Sequence, residues 1–359
     1  MATAITWRLA GWASVRAVAG RRDDEQFAWF GGRLATHLVE VRHDVLGLDD
    51  GGWWALVVDF EGAVTAARFE HVEDAPLPPA RREWAPLAGT WRTSLDRPAY
   101  EAAVREVRRR IEAGDVYQVN VCRVLEHDLD EGADLLALAA HTTVANPAPY
   151  AGVLGLGEVD IVCASPELFL RRSGELVTTG PIKGTAMSPE LLRDKDIDEN
   201  VMIVDLARND LSLVSEPGSV RVDDLLDVER HPGLVHLVSR VSGRLTAGTS
   251  WGQLLAATLP PASVTGAPKS TALQAIHDLE PVPRGPYCGA IGWVDADART
   301  AELAVGIRTF WAARDGGRRV LRFGTGAGIT WGSDPAGEWA ETELKAHRLV
   351  GLASGRVMP

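Results

Sequence analysis

Short apolar runs separated by turn-forming residues dominate the first part of the chain. Residues 1–72 alternate runs such as Trp53–Val58 with turn sequences such as Asp49–Gly52, a pattern typical of β-strands. Residues 73–98 are polar and rich in proline, which indicates an extended connection rather than a packed element. The pattern therefore predicts a boundary between two sub-regions near residue 90.

Helical and strand patterns follow one another after this boundary. Asp96 and Pro98 begin a helical repeat of apolar residues that ends at Gly114, and a strand pattern follows at Val116–Val124. Short apolar runs broken by glycine and proline between residues 153 and 179 predict an antiparallel meander.

The second half of the chain mixes the same two kinds of element. A helix is predicted over Arg193–Val214, with Ile197, Val201, Val204 and Leu211 near one face. The remaining predictions are helices at Trp251–Leu259 and after Pro268, strands at Ala290–Val294, Leu303–Phe310 and Val320–Thr325, and a closing helix around Glu341. The predicted fold class is α+β, with mostly antiparallel sheets flanked by helices.

Composition narrows the possible partners. The 359 residues carry a formal charge of −12 and no basic tract longer than Arg108–Arg110, so nucleic acid is not an expected partner. No stretch approaches the ~20 apolar residues that span a bilayer, so no membrane association is expected. The three cysteines lack zinc-site spacing, and the N-terminus lacks a secretory pattern, which favours a reducing, cytoplasmic setting.

Two segments carry candidate reactive groups. Gln118 opens the strand after Gly114, while Glu167 and Lys183 lie at neighbouring strand ends, in Ser165-Pro166-Glu167 and Pro181-Ile182-Lys183-Gly184-Thr185. Lys183 could act as a nucleophile if burial lowers the pKa of its amine. The alternative is an ordinary solvated lysine in a turn.

Two acidic helices form a candidate metal site. Asp196 and Glu199 lie one turn apart on the first helix, and Glu338, Glu341 and Lys345 share a face of the closing helix. Carboxylate oxygens from two elements, completed by water or substrate, suit Mg²⁺. The alternative is two solvated helix faces.

Two further segments could receive an anion. Ser263 and Thr265 lie in a loop before a helix, where hydroxyls and backbone N–H groups can face a carboxylate. Gly326 and Gly328 interrupt a strand, where a ligand could approach the backbone, although such glycines more often mark a bulge.

Over residues 91–350 these motifs together resemble the chorismate-utilising enzymes, a family that includes component I of anthranilate synthase, component I of aminodeoxychorismate synthase, and the isochorismate and salicylate synthases. The resemblance implies a two-lobed anthranilate synthase component I-like fold. It divides the chain into an N-terminal strand-rich region, 1–90, packed on a chorismate-binding catalytic domain, 91–359.

The resemblance also assigns roles by position. It implies that Glu199 and Glu341 ligate Mg²⁺, with Glu338 and Asp196 as further acidic groups around the metal. Glu167 is then the general acid that protonates the departing C4 hydroxyl, and His236 lies near the reacting ring. The positions that match the chorismate pocket are Ser263, Thr265, Tyr287, Arg308, Gly326, Gly328, Lys345 and Thr185.

Two positions separate the members of this family. Where the water-adding enzymes have a lysine base, this chain has Gln118, which cannot accept that proton at neutral pH. Lys183 resembles the lysine of aminodeoxychorismate synthases, whereas anthranilate synthases have alanine. The implied product is 4-amino-4-deoxychorismate, for 4-aminobenzoate and folate or a specialised metabolite, with ammonia from a separate glutamine amidotransferase subunit. The alternatives are an anthranilate synthase component I and a catalytically silent chorismate-binding subunit.

Overall fold

The computed structural model describes residues 26–356 apart from 187, 192–193 and 232–233. Of residues 185–186, 191, 194–196, 230–231 and 234 it describes the backbone only. The strands of this part are β1 (Phe27–Phe30), β2 (Arg33–Arg42), β3 (Trp53–Val58), β4 (Val64–Asp74), β5 (Arg92–Thr93), β6 (Gln118–Asp128), β7 (Tyr150–Gly155), β8 (Asp160–Ser165), β9 (Leu168–Ser173), β10 (Leu176–Gly180), β11 (Ile182–Ala186), β12 (Arg221–His231), β13 (Leu234–Arg244), β14 (Gly266–Ala267), β15 (Ala290–Asp295), β16 (Thr300–Val305), β17 (Thr309–Asp315) and β18 (Arg318–Ile329).

Six α-helices flank these strands in the described part of the chain. They are α1 (Arg97–Glu112), α2 (Leu135–Ala145), α3 (Asp194–Ser212), α4 (Trp251–Thr258), α5 (Lys269–Leu279) and α6 (Pro335–Ala353). The predicted start of α1 is confirmed, because Asp96 Oδ1 accepts from Ala99 N at 2.9 Å and Pro98 lies in the first turn. None of the helices in this part is long and apolar enough to cross a membrane.

The strands form one antiparallel ladder. Its order is β6-β18-β17-β8-β7-β1-β2-β4-β3-β15-β16-β9-β10-β13-β12, with β11 also pairing with β13, and β5 and β14 pairing with β6. The mixed α+β class and the antiparallel pairing are therefore confirmed.

Helices cover the two ends of this ladder. α1 and α6 pack on β6 and β18, and α2 packs on β7 and β8, while α3 packs on β11, β12 and β13. A large apolar cluster includes Trp54, Leu56 and Val104, and a second one joins α2 and α6 to Phe310 and Phe323. Burying these faces supplies the main driving force for the fold.

The structure corrects two of the sequence predictions. In α3 the buried face contains Ile203, Val204 and Leu211, while Ile197 and Val201 are exposed, so the predicted apolar face was partly wrong. The single strand predicted over Leu303–Phe310 is broken between β16 and β17, where Arg308 adopts a positive φ of 52°.

Candidate functional site

Lys183 lies in the middle of β11, directly opposite Leu237 of β13. Its side chain is only 13% exposed, and its Nζ atom is 3.9 Å from Oε2 of Glu199. Burial lowers the pKa of this amine, and the nearby Lys345 lowers it further, against the opposing effect of Glu199, Glu167 and Glu341. The alternative of a solvated lysine in a turn is therefore wrong, and burial shifts the protonation equilibrium of this amine towards its free form.

Glu167 lies in the two-residue connection between β8 and β9. Its backbone is fixed on both sides, because its N–H donates to Ser165 Oγ at 3.2 Å and its carbonyl accepts from Val305 N at 3.0 Å. The side chain is 3% exposed. Burial raises its pKa to about 7, although a hydrogen bond from Ser263, the charge of Lys183 and the Ile182 backbone N–H favour the carboxylate.

Gln118 and Lys183 meet at Gly328 although they come from opposite ends of the ladder. A Cβ atom at Gly328 would lie 2.6 Å from Gln118 Nε2 and 3.4 Å from Lys183 Nζ. Gln118 is 1% exposed, and among the described residues its Oε1 atom has no hydrogen-bond partner. A buried acceptor of this kind is costly unless a ligand completes it.

The predicted acidic residues approach the amine from two helices. Glu199 lies on α3, and Glu338 and Glu341 lie on α6, with Glu338 buried and the other two partly exposed. The charges of Glu199 and Glu341 both raise the pKa of Lys183, in opposition to burial. The side chain of Asp196 lies outside the described residues.

These carboxylates are hard oxygen donors of the kind that Mg²⁺ prefers. Within residues 26–356, less the gaps given above, no three His, Cys, Asp or Glu side chains already lie together as a metal site. Lys345 Nζ is 2.7 Å from Glu341 Oε1, so a cation already faces one of the predicted ligands. The donor types fit the metal, and the ligand set remains a prediction.

Two of the three glycines of β18, Gly326 and Gly328, have different surroundings. A Cβ at Gly326 would lie 2.6 Å from Cys122 Sγ and 2.7 Å from the Val121 carbonyl, so this glycine allows close packing of β18 on β6. Its own carbonyl accepts from Lys345 Nζ at 3.0 Å. Gly328 alone of this pair leaves space beside the reactive amine.

Tyr287 and Arg308 are two further residues that the sequence predicted for the pocket. The buried Tyr287 ring fills the space over Gly324, where a Cβ would lie 2.0 Å from its Cγ atom. Arg308 is partly buried, and burial together with the nearby Arg348 lowers its pKa. No hydrogen bond or ion pair joins its guanidinium to another described residue, which suits it to an incoming carboxylate.

The remaining predicted site residues lie in several different elements of the structure. His236 is buried on β13, opposite Thr185 of β11, rather than on a helix surface. Ser263 is buried in a turn of 3-10 helix, and the buried Thr265 hydroxyl donates to the Pro261 carbonyl at 2.8 Å. The side chain of Thr185 lies outside the described residues.

The sequence analysis missed Asn200, which is buried next to Glu199. Its Nδ2 atom donates to the Leu237 carbonyl at 3.1 Å, and its Oδ1 atom accepts from Ser239 Oγ at 2.5 Å. These bonds fasten α3 to β13 opposite Lys183. An amide among the acidic residues of α3 was the only available signal, and its partners are 37 and 39 residues away in the sequence.

Taken together, the described residues form a partly buried site with an amine, a buried carboxylic acid and carboxylates from two helices. Such a site can bind a dicarboxylate, attack it with an amine and protonate a leaving group.

Comparison with known proteins gives the family. The model of the chorismate binding enzymes matches residues 60–351. Anthranilate synthase component 1 of Thermus thermophilus is 39% identical over 77% of this chain and 61% of its own length. Aminodeoxychorismate synthase component 1 of Klebsiella aerogenes is 34% identical over 89% of this chain and 74% of its own length.

The solved structures show the same fold. Anthranilate synthase component I of Streptococcus pneumoniae superposes with a TM-score of 0.74 at 23% identity, covering 96% of this chain and 95% of that one. The menaquinone-specific isochorismate synthase of Escherichia coli gives a TM-score of 0.76 at 20% identity, covering 92% and 89%. The chain spans about three fifths of the length of the Thermus relative, with 61% covered. From the family match and these relatives, the chain belongs to the chorismate binding enzymes.

Proposed function

We propose that this chain is component I of an aminodeoxychorismate synthase, an enzyme that converts chorismate and ammonia into 4-amino-4-deoxychorismate and water. In this proposal residues 91–359 belong to the catalytic domain, and of the N-terminal region, 1–90, the described residues 26–90 pack on it. The observation that carries the proposal is the Lys183 amine, which is largely buried, has a lowered pKa and lies 3.9 Å from Glu199.

In the proposed first step, Lys183 Nζ attacks C2 of chorismate. The two ring double bonds shift by one position each, and the C4–O bond breaks. Glu167 gives its proton to the leaving hydroxyl, which departs as water. The pKa of about 7 keeps a large fraction of this carboxyl protonated at neutral pH, as a general acid requires.

In the second step, ammonia attacks C4, the double bonds shift back, and the C2–N bond to Lys183 breaks. The new C4 ammonium returns a proton to Glu167, so the enzyme regains its starting state. The Gln118 amide approaches Lys183 at Gly328 through its Nε2 atom, and its unpartnered Oε1 can accept an N–H of the incoming ammonia. Because an amide cannot take a proton from water at neutral pH, Gln118 favours ammonia over water as nucleophile.

The substrate carboxylates have separate receptors in this proposal. Arg308 receives one carboxylate, and Glu199 and Glu341 would hold a Mg²⁺ ion that would supply positive charge for the ring carboxylate. Mg²⁺, when bound, supplies positive charge between these acidic groups. Ser263, Thr265, Thr185, Gly326, Gly328, Lys345, Glu338, Asp196 and His236 complete the proposed pocket.

Ammonia comes from a separate glutamine amidotransferase subunit in this proposal. The product leads to 4-aminobenzoate, for folate or a specialised metabolite. The name "component 1" of the relatives supports a partner of this kind.

A second candidate is anthranilate synthase component I. Relatives with that name are 37–39% identical to this chain, compared with 34% for the Klebsiella aminodeoxychorismate synthase component. Lys183 distinguishes the two proposals, because an amine bonded at C2 blocks ammonia from that carbon.

One product assay tests both candidates. The purified chain is incubated with chorismate, Mg²⁺ and ammonium, and the products are separated and identified by mass and fluorescence. We expect 4-amino-4-deoxychorismate. Anthranilate as the sole product would reject the proposal in favour of the second candidate, and recovery of unchanged chorismate would favour a silent binding subunit.

A further inference from the structure

A buried ion pair lies behind the proposed pocket, at the C-terminal end of α5. The side chains of Glu280 and Arg284 are 6% and 1% exposed, and they form a two-pronged contact with Nε–Oε2 at 2.8 Å and Nη2–Oε1 at 2.6 Å. Neither residue was selected from the sequence.

The remaining donors of Arg284 reach two separate backbone segments. Nη1 donates to the Val264 carbonyl at 2.9 Å, and Nη2 donates to the Asn120 carbonyl at 2.7 Å. Glu280 Oε1 also accepts from the Cys122 N–H at 2.9 Å. The ion pair therefore joins β6 to the turn before β14.

Both of these segments carry proposed site residues. Val264 follows Ser263, whose hydroxyl bonds to Glu167, and Asn120 lies two residues after Gln118 on β6. The backbones already meet once, where Asn120 N donates to the Thr265 carbonyl at 2.8 Å. Arg284 adds a side-chain link across the same junction.

The Arg284 backbone is itself held in place. Its N–H and that of Gly285 donate to the Glu61 carboxylate at 2.8 and 3.0 Å, and the Phe60 ring lies 4.2 Å from its Cζ atom. Tyr287, another residue of the proposed pocket, follows three residues later on the same segment.

We propose that Glu280 and Arg284 are positioning residues, which hold the Ser263 turn and the start of β6 at the spacing that Glu167 and Lys183 require. A buried ion pair is a poor source of stability, because desolvation of the two charges offsets their attraction. The planar guanidinium of Arg284 instead fixes the relative positions of the groups that accept its hydrogen bonds. A lysine ammonium cannot reproduce this arrangement. The catalytic part of this inference rests on the proposed function.

The first test compares Arg284→Lys with a matched control, Arg319→Lys. Arg319 forms another buried pair, with Asp160 at 2.9 Å, and its other donors reach the loop before α2. We expect Arg284→Lys to lower kcat for amination by roughly 100-fold, as a misplacement of about 1 Å can. Arg319→Lys should leave kcat unchanged. Equal kcat values for Arg284→Lys and the wild-type enzyme would overturn the inference.

A double-mutant cycle measures whether the effects of two substitutions on kcat depend on each other. A purely structural role of Arg284 would not produce such a dependence. If Arg284 acts through Ser263, the Ser263→Ala change should cost much less kcat in the Arg284→Lys background than in the wild-type enzyme. Independent, multiplicative losses would contradict the positioning role.

In Glu280→Met/Arg284→Met, where apolar side chains replace the charges, we expect a folded protein with reduced kcat. If this variant does not fold, the cycle decides the inference without it.

Amide hydrogen exchange provides a measurement that needs no turnover. We expect faster exchange in the peptides around Asn120 and Ser263 in Arg284→Lys, and no change there in Arg319→Lys. Unchanged exchange in Arg284→Lys would overturn the inference whatever the activity. A wild-type enzyme that forms no 4-amino-4-deoxychorismate would refute only the proposed function, because the exchange result does not depend on it.

Discussion

The Nζ atom of Lys183 lies 3.9 Å from Oε2 of Glu199, although the two residues come from β11 and α3. Both side chains are mostly buried, at 13% and 15% exposure. At this distance the carboxylate stabilises the ammonium form, yet burial still lowers the pKa of the amine. Any cation that binds Glu199 would weaken the attraction and release more free amine.

Replacement of Lys183 by alanine removes the proposed nucleophile. We expect Lys183→Ala to lose 4-amino-4-deoxychorismate formation while it retains chorismate binding, because the proposed carboxylate receptors are unchanged. Product analysis and a chorismate titration followed by intrinsic fluorescence would measure the two effects. Normal product formation by this variant would remove Lys183 from the mechanism.

Replacement of Glu167 by glutamine tests the general acid. The proposed role requires the protonated form, so the wild-type rate should fall as pH rises through about 7. Glu167→Gln should lose roughly 100-fold or more in kcat, and the decline near neutral pH should disappear with it. A variant that keeps the wild-type rate and pH profile would show that another group supplies the proton.

The same substitution, which should lower activity, should raise the stability of the protein at alkaline pH. Because the folded-state pKa of Glu167 is raised from 4.5 to about 7, the folded protein favours the protonated form. The contribution of Glu167 to the free energy of unfolding is fully present below about pH 4.5 and is lost as the pH rises through about 7. We expect Glu167→Gln to melt at a higher temperature than the wild-type protein at pH 8, with little difference at pH 5. A lower melting temperature at pH 8 would contradict this expectation.

Removal of a proposed metal ligand tests the Mg²⁺ site. Glu199→Gln and Glu341→Gln should each require roughly 10–100-fold more Mg²⁺ for half-maximal activity, and a chelator should abolish wild-type activity. Glu131→Gln is a suitable control, because Glu131 is in an exposed pair with Arg314 at 2.9 Å. Identical Mg²⁺ dependence in all three variants would reject these two ligands.

A methyl group at Gly328 tests the space between Gln118 and Lys183. In Gly328→Ala the Cβ would lie 2.6 Å from Gln118 Nε2, so the amide must move away from the amine. We expect at least a roughly 10-fold loss of kcat at a nearly unchanged melting temperature. Gly332→Ala is the control, since nothing lies within 4 Å of its Cβ position. Equal activity of the two variants would show that this space is not needed.

The sequence predicted the elements with strong local signals. The Asp96 and Pro98 signals gave the start of α1, and the apolar run Trp53–Val58 gave β3, both as the structure has them. The hairpin of β12 and β13 was missed because charged residues interrupt β12 and glycine interrupts β13. Its pairing is set by tertiary contacts, which a single sequence does not display.

For the candidate site, the sequence was more informative about which residues take part than about where those residues lie in the fold. Lys183 and Glu167 were selected from their motifs, but their burial, which changes both pKa values, depends on strands distant in the sequence. Arg284 was missed because the partners that distinguish it are two backbone carbonyls, at Val264 and Asn120. The pattern of residue types along a sequence does not show which backbone groups a side chain will contact.

The meeting of Gln118 and Lys183 at Gly328 has a consequence for folding. These residues belong to strands at opposite ends of the antiparallel ladder. Contacts between such distant parts of a chain form slowly. We therefore expect a newly synthesised chain to bring Gln118 beside Lys183 late in folding.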